Sequence, residues 1–210
     1  MSLETFRKAL TLCEDHGYTP FLGGGEPTLH NLFEQMLLES MAVAADIGNG
    51  SMGIITNGSI KRRALMIASL TRAGMLYGSV SQDQYHDPIS HEVVEAFNNL
   101  PDSTGSGFKQ GVWDTSGDGT REPLPHGRAK ELNGFELDEF DEDPRDDGDC
   151  PCTSWVVKPD GTIYQCGCED APVVGHVDTG IESPTGSDCY RSPWFVEQCC
   201  DADVEHLLYA

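Results

Sequence analysis

The chain has 210 residues, of which 13 are basic and 35 are acidic, so its formal net charge is −22. This acidic excess argues against nucleic-acid partners, because phosphate backbones are bound by clustered Lys and Arg side chains. No apolar run reaches the ~18 residues of a membrane-spanning helix, and the N-terminal segment lacks the basic and apolar regions of a secretory signal. Eight cysteines without an export signal favour a reducing compartment, so we expect a cytoplasmic protein with no membrane association.

The start of the chain predicts a helix followed by a short strand. Apolar residues recur at helical spacing from Leu3 to Cys13, with Ser2 as the N-cap and Gly17 as the stop. Residues 18–22 then form a strand-like run that ends in three glycines.

The pattern of helix and strand repeats further along the chain. We predict a helix through residues 32–41 that stops near residue 48, a strand over 52–55, a helix over 61–73, a strand over 76–80, and a helix from Pro88 to about residue 99. Strands that alternate with helices at intervals of roughly 25 residues indicate a parallel sheet with crossover helices. The fold class that we predict for this region is α/β.

Three polar loops follow the predicted strands, at residues 23–28, 56–58 and 79–83. In parallel α/β folds, ligands gather where such loops meet at the carboxyl ends of the strands. The carboxylate of Glu26 suits an ammonium group, and Ser81 and Asp83 suit the hydroxyls of a ribose. Taken singly, each loop is also an ordinary strand-to-helix turn, in which Gly, Ser, Asn and Asp are common.

The order of these loops resembles the radical S-adenosylmethionine superfamily. The matching segments are Leu22-Gly-Gly-Gly-Glu-Pro-Thr, Ile55-Thr-Asn-Gly and Ser81-Gln-Asp, with a Gly-Arg-Ala stretch at residues 127–129. The resemblance implies a (β/α)6 TIM-like barrel and the reductive cleavage of S-adenosylmethionine to a 5′-deoxyadenosyl radical. It also implies that the loops contact the methionine amino group and the ribose of this cofactor. The implied cofactor-binding residues are Gly24, Gly25, Glu26, Pro27, Asn57, Ser81 and Asp83.

The chain departs from the superfamily in its cysteines. Members carry a Cys-x3-Cys-x2-Cys loop after the first barrel strand, and its thiolates hold a [4Fe–4S] cluster. Before residue 150 this chain has only Cys13, which we expect to be a buried core thiol. We therefore expect an incomplete, N-terminally truncated barrel that lacks its first strand and cluster loop. The open edge of the sheet is then a docking surface for a partner chain that supplies both.

The composition divides the chain into three parts. Residues 136–149 contain nine acidic residues and one Arg, a run that repels itself and indicates a solvated connector. We therefore predict a partial barrel at 1–130, an acidic connector at 131–149 and a Cys-rich extension at 150–210.

The extension predicts a β-hairpin flanked by cysteines. Residues 156–164 contain two short apolar runs joined by Asp160-Gly161, which brings the cysteine pairs before and after them to one end of the hairpin. Converging thiolates indicate zinc or an iron–sulfur cluster, with reduced thiols as the alternative. The layout resembles the twitch or SPASM extensions of radical S-adenosylmethionine proteins, which implies an auxiliary cluster. The candidate metal ligands are Cys150, Cys152, Cys166, Cys168 and Cys189.

These features lead to one expected function and two alternatives. The expected function is that of a radical S-adenosylmethionine iron–sulfur protein whose 210 residues do not generate the radical on their own, because the cluster ligands are missing. The alternatives are a non-enzymatic iron–sulfur or zinc-binding module, and one half of a split enzyme. The sequence does not identify the substrate.

Overall fold

The computed structural model describes residues 1–48, 51–82, 88–101, 111–114, 155–166, 171–182 and 207–209. These residues form a sheet with helices packed on one face. In chain order the elements are α1 (Leu3–His16), β1 (Thr19–Leu22), a 3-10 turn (Pro27–Leu29), α2 (Phe33–Ile47), β2 (Gly53–Thr56), α3 (Lys61–Arg72), β3 (Tyr77–Gln82), α4 (His91–Asn98), β4 (Gly111–Asp114), β5 (Val156–Val157), β6 (Thr162–Tyr164), β7 (Val173–His176), β8 (Gly180–Ile181) and β9 (Leu207–Tyr209).

The ends of α1 follow the signals in the sequence. The Ser2 hydroxyl accepts a hydrogen bond from the Thr5 amide at 3.0 Å and caps the first turn. Gly17 ends the helix with φ 69°, and the next amide, that of Tyr18, donates to the Cys13 carbonyl at 2.8 Å.

The helix predicted to begin at Pro88 begins three residues later. α4 starts at His91 with Ser90 at the N-cap position, so Pro88 is not in its first turn. Ile89, which precedes the N-cap, packs its side chain against Gly58, where an added Cβ would lie 2.8 Å from the Ile89 Cγ2.

Strands β1 to β4 pair in parallel and in chain order. Phe21 and Leu22 are in register with Gly53 and Ile54, β2 pairs with β3, and β3 pairs with β4. The helices between them supply the crossovers that parallel pairing requires. The carboxyl ends of these strands therefore lie at one edge of the sheet.

The other side of β1 is occupied, so the prediction of an open sheet edge was wrong. The C-terminal strand β9 pairs with β1 in parallel, with Leu207 opposite Thr19 and Tyr209 opposite Phe21. Strand β9 also pairs in parallel with β5, and β6, β7 and β8 then continue the same sheet in antiparallel order. The sequence contains no hydrophobic alternation near residue 207 that would have predicted this strand.

Different groups pack on the two faces of the sheet. A Cβ at Gly78 would collide with Ile67 and Thr71 of α3, so even-numbered residues of β3 face the helices. The main core lies on this side and contains Leu22, Ile54 and Val80 together with the buried faces of α1 to α4. On the opposite face the Phe21 ring lies across Gly53, which leaves no space for a side chain there.

Helix α1 joins the parallel strands to the extension. Lys8 forms ion pairs with Glu4 at 2.9 Å and with Asp178, in the turn after β7, at 2.6 Å. At the other end of α1, the rings of Tyr18 and Trp155 meet edge to face at a centroid distance of 5.0 Å. Among the described residues, no helix is long and apolar enough to cross a membrane.

Candidate functional site

The first two loops predicted to bind a ligand lie at the carboxyl edge of the sheet. The first begins after Leu22 and the second after Thr56, and because β1 and β2 are parallel neighbours these two loops are adjacent. The prediction of a third loop over residues 79–83 was wrong for residues 79–82, which belong to strand β3; residue 83 lies outside the described residues.

The first loop requires two of its glycines. Gly24 and Gly25 have φ values of 68° and 31°, which side-chain-bearing residues rarely adopt. A Cβ at Gly25 would meet no atom within 4 Å, so the glycine leaves open space beside the backbone. Pro27 follows as the first residue of the 3-10 turn, where its fixed φ is favourable.

The Glu26 carboxylate ties the first loop to the second. Its Oε1 accepts hydrogen bonds from the Thr28 amide at 3.0 Å, from the Thr28 hydroxyl and from the Thr56 hydroxyl at 2.7 Å. Its Oε2 accepts one from the Asn57 amide at 2.5 Å. The Thr56 hydroxyl also accepts from the Gly58 amide at 3.1 Å. Glu26 therefore fixes the relative positions of the two strand ends.

A half-buried arginine braces the same loop from α3. Arg63 donates through Nη1 to the carbonyls of Thr28 and His30, and it forms a two-pronged ion pair with Glu34, with Nη2 at 2.8 Å from Oε2. The guanidinium carbon lies 5.3 Å from the centroid of the Phe33 ring. The hydrogen bond from Arg63 lowers the pKa of Glu34, which keeps the pair ionised. Sequence reasoning missed Arg63 because one Arg on a predicted helix has no distinguishing signal.

Of the three other residues predicted to contact the ligand, the structure describes two. The Asn57 carboxamide oxygen caps the second loop by accepting from the Ser59 amide at 3.0 Å. Ser81 is half-buried near the end of β3, and its position in the strand puts it on the face opposite α3. Asp83 lies outside the described residues.

A cavity of about 500 Å³ adjoins the Gly-rich loop. It lies between the first turns of α1 and α2, the loop from Gly23 to Pro27, and the end of β5 with the turn that follows it. Its walls are mainly apolar, and Lys158 and Pro159 stand at its rim on the extension side. The sequence did not predict this cavity, because it forms only when the extension packs beside β9.

The predicted hairpin of the extension is present, and its turn points to the carboxyl edge. Strands β5 and β6 pair antiparallel, and the Gly161 amide donates to the Lys158 carbonyl at 2.9 Å across the turn. Since β5 runs parallel to β1, the opposite end of the hairpin lies at the amino edge of the sheet. Cys166 follows β6 there, buried with 3% exposure.

Because the hairpin turn lies at the carboxyl edge, the cysteine end of the hairpin and the predicted cofactor loops lie at opposite edges of the sheet. From the register, Cys166 lies near the level of Thr19, about four residues from the level of Gly23, which is roughly 13 Å along the strand direction. The other predicted metal ligands lie outside the described residues: Cys150, Cys152, Cys168 and Cys189. Within the described ranges, no group of three or more His, Cys, Asp or Glu side chains is placed to hold a metal ion.

The prediction that Cys13 is a core thiol is confirmed. Its side chain is 1% exposed on the buried face of α1. Burial raises the pKa of the thiol to about 12, so it stays protonated and is a poor metal ligand at neutral pH.

Comparison of the chain with known protein-family models, with curated proteins and with solved structures gives no match.

Proposed function

We propose that the carboxyl edge of β1 to β3 binds S-adenosylmethionine, as in a radical S-adenosylmethionine barrel of which this chain forms an incomplete version. The observation that carries the proposal is the Glu26 network, which joins a Gly-Gly-Glu-Pro loop to the Thr-Asn-Gly loop of the next strand. Strands that follow one another in chain order across the sheet are also the winding of a barrel.

The first loop retains acceptors for the ammonium group of the cofactor. Glu26 Oε1 accepts three hydrogen bonds, whereas Oε2 accepts one, and a carboxylate oxygen has two lone pairs. Oε2 can therefore accept a hydrogen bond from an ammonium group. In this arrangement Gly24 and Gly25 let the backbone approach the ligand, and Ser81 and Asp83 bond the ribose.

The charge of the protein favours this ligand. S-adenosylmethionine carries a sulfonium and an ammonium group against one carboxylate, so it is a net cation. A chain with a formal charge of −22 attracts a cation, and the same charge disfavours phosphate-bearing cofactors.

Residues 1–149 lack the three cysteine ligands of the iron–sulfur cluster that reductive cleavage of S-adenosylmethionine needs. Cys13 is the one cysteine before residue 150, and its thiol is buried and protonated. The side chains of the edge would therefore bind and orient the cofactor, and an iron–sulfur group from another chain or segment would have to supply the electron that cleaves it. A partner strand beside β1 then has to displace β9.

The first test is calorimetric titration with S-adenosylmethionine, for which we expect saturable binding. Ser81→Ala removes one hydrogen bond to the ligand and should weaken binding roughly fivefold. Ser69→Ala is the matched control, because Ser69 is exposed on α3 and bonds only the Leu65 carbonyl. Absence of saturable binding, or equal weakening by both variants, contradicts the proposal.

The second test concerns catalysis. After reconstitution with iron and sulfide, then addition of dithionite and S-adenosylmethionine, we expect the chain to form no 5′-deoxyadenosine. Appreciable product would show that these residues hold a competent cluster after all.

A second candidate function is a metal-binding module in the extension. It is favoured by the hairpin register, which brings the start of β5 and the end of β6 together where cysteine pairs flank both strands in the sequence. Because that end lies at the amino edge, such a metal would have a structural role in the extension and would lie away from the cofactor loops. Anaerobic purification followed by visible absorption and metal analysis separates an iron–sulfur cluster, which is coloured, from zinc, which is not.

A further inference from the structure

Thr28 connects the Glu26 carboxylate to Arg63 on α3. The Thr28 amide donates to Glu26 Oε1 at 3.0 Å, its hydroxyl donates to the same oxygen, and its carbonyl accepts from Arg63 Nη1. Thr28 is fully buried, so water cannot replace these partners without opening the loop. The position of the Glu26 carboxylate therefore depends on where Arg63 holds Thr28.

The guanidinium of Arg63 is fixed on several sides. Nη1 donates to the carbonyls of Thr28 and His30, at 2.9 Å for His30, while Nε and Nη2 donate to the two carboxylate oxygens of Glu34 at 3.0 and 2.8 Å. These bonds use four of the five N–H groups of an arginine. One N–H is too few for the two-pronged bond by which arginine binds a carboxylate, so Arg63 acts on the loop rather than on a ligand.

The neighbouring Arg62 provides an internal comparison. Within the described residues its hydrogen bond goes to the same acid, from Nη2 to Glu34 Oε1 at 2.9 Å. Its side chain is 85% exposed, compared with 16% for Arg63, and exposed pairs of this kind contribute little to stability. The two arginines therefore share a charge and an acidic partner, and they differ in the bonds from Arg63 to the carbonyls of the loop.

We propose that Arg63 is a positioning residue of the cofactor site, which holds Thr28 so that Glu26 Oε1 is filled by the loop and Oε2 faces the ammonium group of the ligand. The inference rests on the proposed function, because Arg63 reaches the ligand only through Glu26. Lysine cannot take this role, since a single ammonium does not reproduce the planar fork that spans Glu34 and two carbonyls.

The first test needs no ligand and follows the amide resonances of Thr28 and Asn57, which donate to the two oxygens of Glu26. A hydrogen bond to a carboxylate moves an amide proton downfield. Arg63→Lys and Arg63→Gln should therefore move both resonances upfield, whereas Arg62→Gln should leave them in place. A role in stability alone would lower the unfolding midpoint and leave both resonances of the folded protein unchanged, and that result overturns the proposal.

The second test is calorimetric titration of the same variants with S-adenosylmethionine. Arg63→Lys and Arg63→Gln should each weaken binding about tenfold, and Arg62→Gln should leave it nearly unchanged. Equal weakening by Arg62→Gln and Arg63→Gln, or full affinity in Arg63→Lys, overturns the positioning role while the proposed function stands. If the unsubstituted chain does not bind S-adenosylmethionine, the proposed function fails and the positioning role fails with it.

Discussion

The carboxyl edge of the parallel strands and the hairpin of the extension are organised in different ways. At the edge, one carboxylate collects hydrogen bonds from two successive loops, and its threonine partners are at most 1% exposed. In the hairpin, the turn is closed by backbone bonds between Lys158, Gly161 and Thr162. The edge therefore depends on particular side chains, whereas the hairpin turn depends mainly on backbone conformation.

The largest expected effect comes from removing the carboxylate at the edge. Glu26→Ala leaves the buried hydroxyls of Thr28 and Thr56 and the Asn57 amide without their acceptor, which should cost about 4 kcal/mol of unfolding free energy. Urea unfolding measures this loss. Glu4→Ala is the control, since that carboxylate is exposed, and a similar loss in both variants would mean that the network contributes nothing particular.

Strand β9 is the connection between the two regions, and it is the next to test. Leu208→Pro removes a backbone donor from a strand that pairs with β1 on one side and β5 on the other. We expect a loss of about 3 kcal/mol and faster hydrogen exchange in both β1 and β5. Leu208→Ala keeps the donor and should preserve the exchange pattern, whereas unchanged exchange in the proline variant would remove β9 from the sheet.

The sequence predicts local structure well here and long-range pairing poorly. Ser2, Gly17 and the Asp160-Gly161 turn have their structural effect within a few residues, so their patterns can be read directly. The pairing of β9 with β1 joins residues nearly 190 positions apart and depends on packing that no local pattern encodes. For the same reason the adjacency of the ligand loops was predictable from strand order, but the Arg63 brace and the cavity were not.

The hairpin should respond to backbone strain without affecting the edge. Gly161 has φ 94°, and an added Cβ would lie 2.8 Å from His176 Nε2 and from Val177 Cγ2. Gly161→Ala should therefore cost about 2 kcal/mol, with exchange increased in β5 and β6 but not in β2. Gly180→Ala is the matched control, because its φ is 81° but nothing lies within 4 Å of the added Cβ, so it should cost only about 1 kcal/mol.

The smallest expected effect lies on the surface, where the Lys8–Asp178 pair connects α1 to the extension. The hydrogen bond from Lys8 lowers the pKa of Asp178 from its usual 3.8, and the same bond raises the pKa of Lys8 above 10.5. A lowered carboxyl pKa gives stability that is present above about pH 4 and is lost as the pH falls through the folded value. A raised amine pKa gives stability that is present below about pH 10.5 and is lost above it.

Lys8→Ala should therefore lower the Tm slightly near neutral pH, less at pH 2 and less in 1 M salt, which screens exposed pairs. Glu4→Gln separates the two partners of Lys8, since it keeps the bond to Asp178. If it lowers the Tm as much as Lys8→Ala does, the connection to the extension contributes nothing, and β9 and the core alone join the two regions.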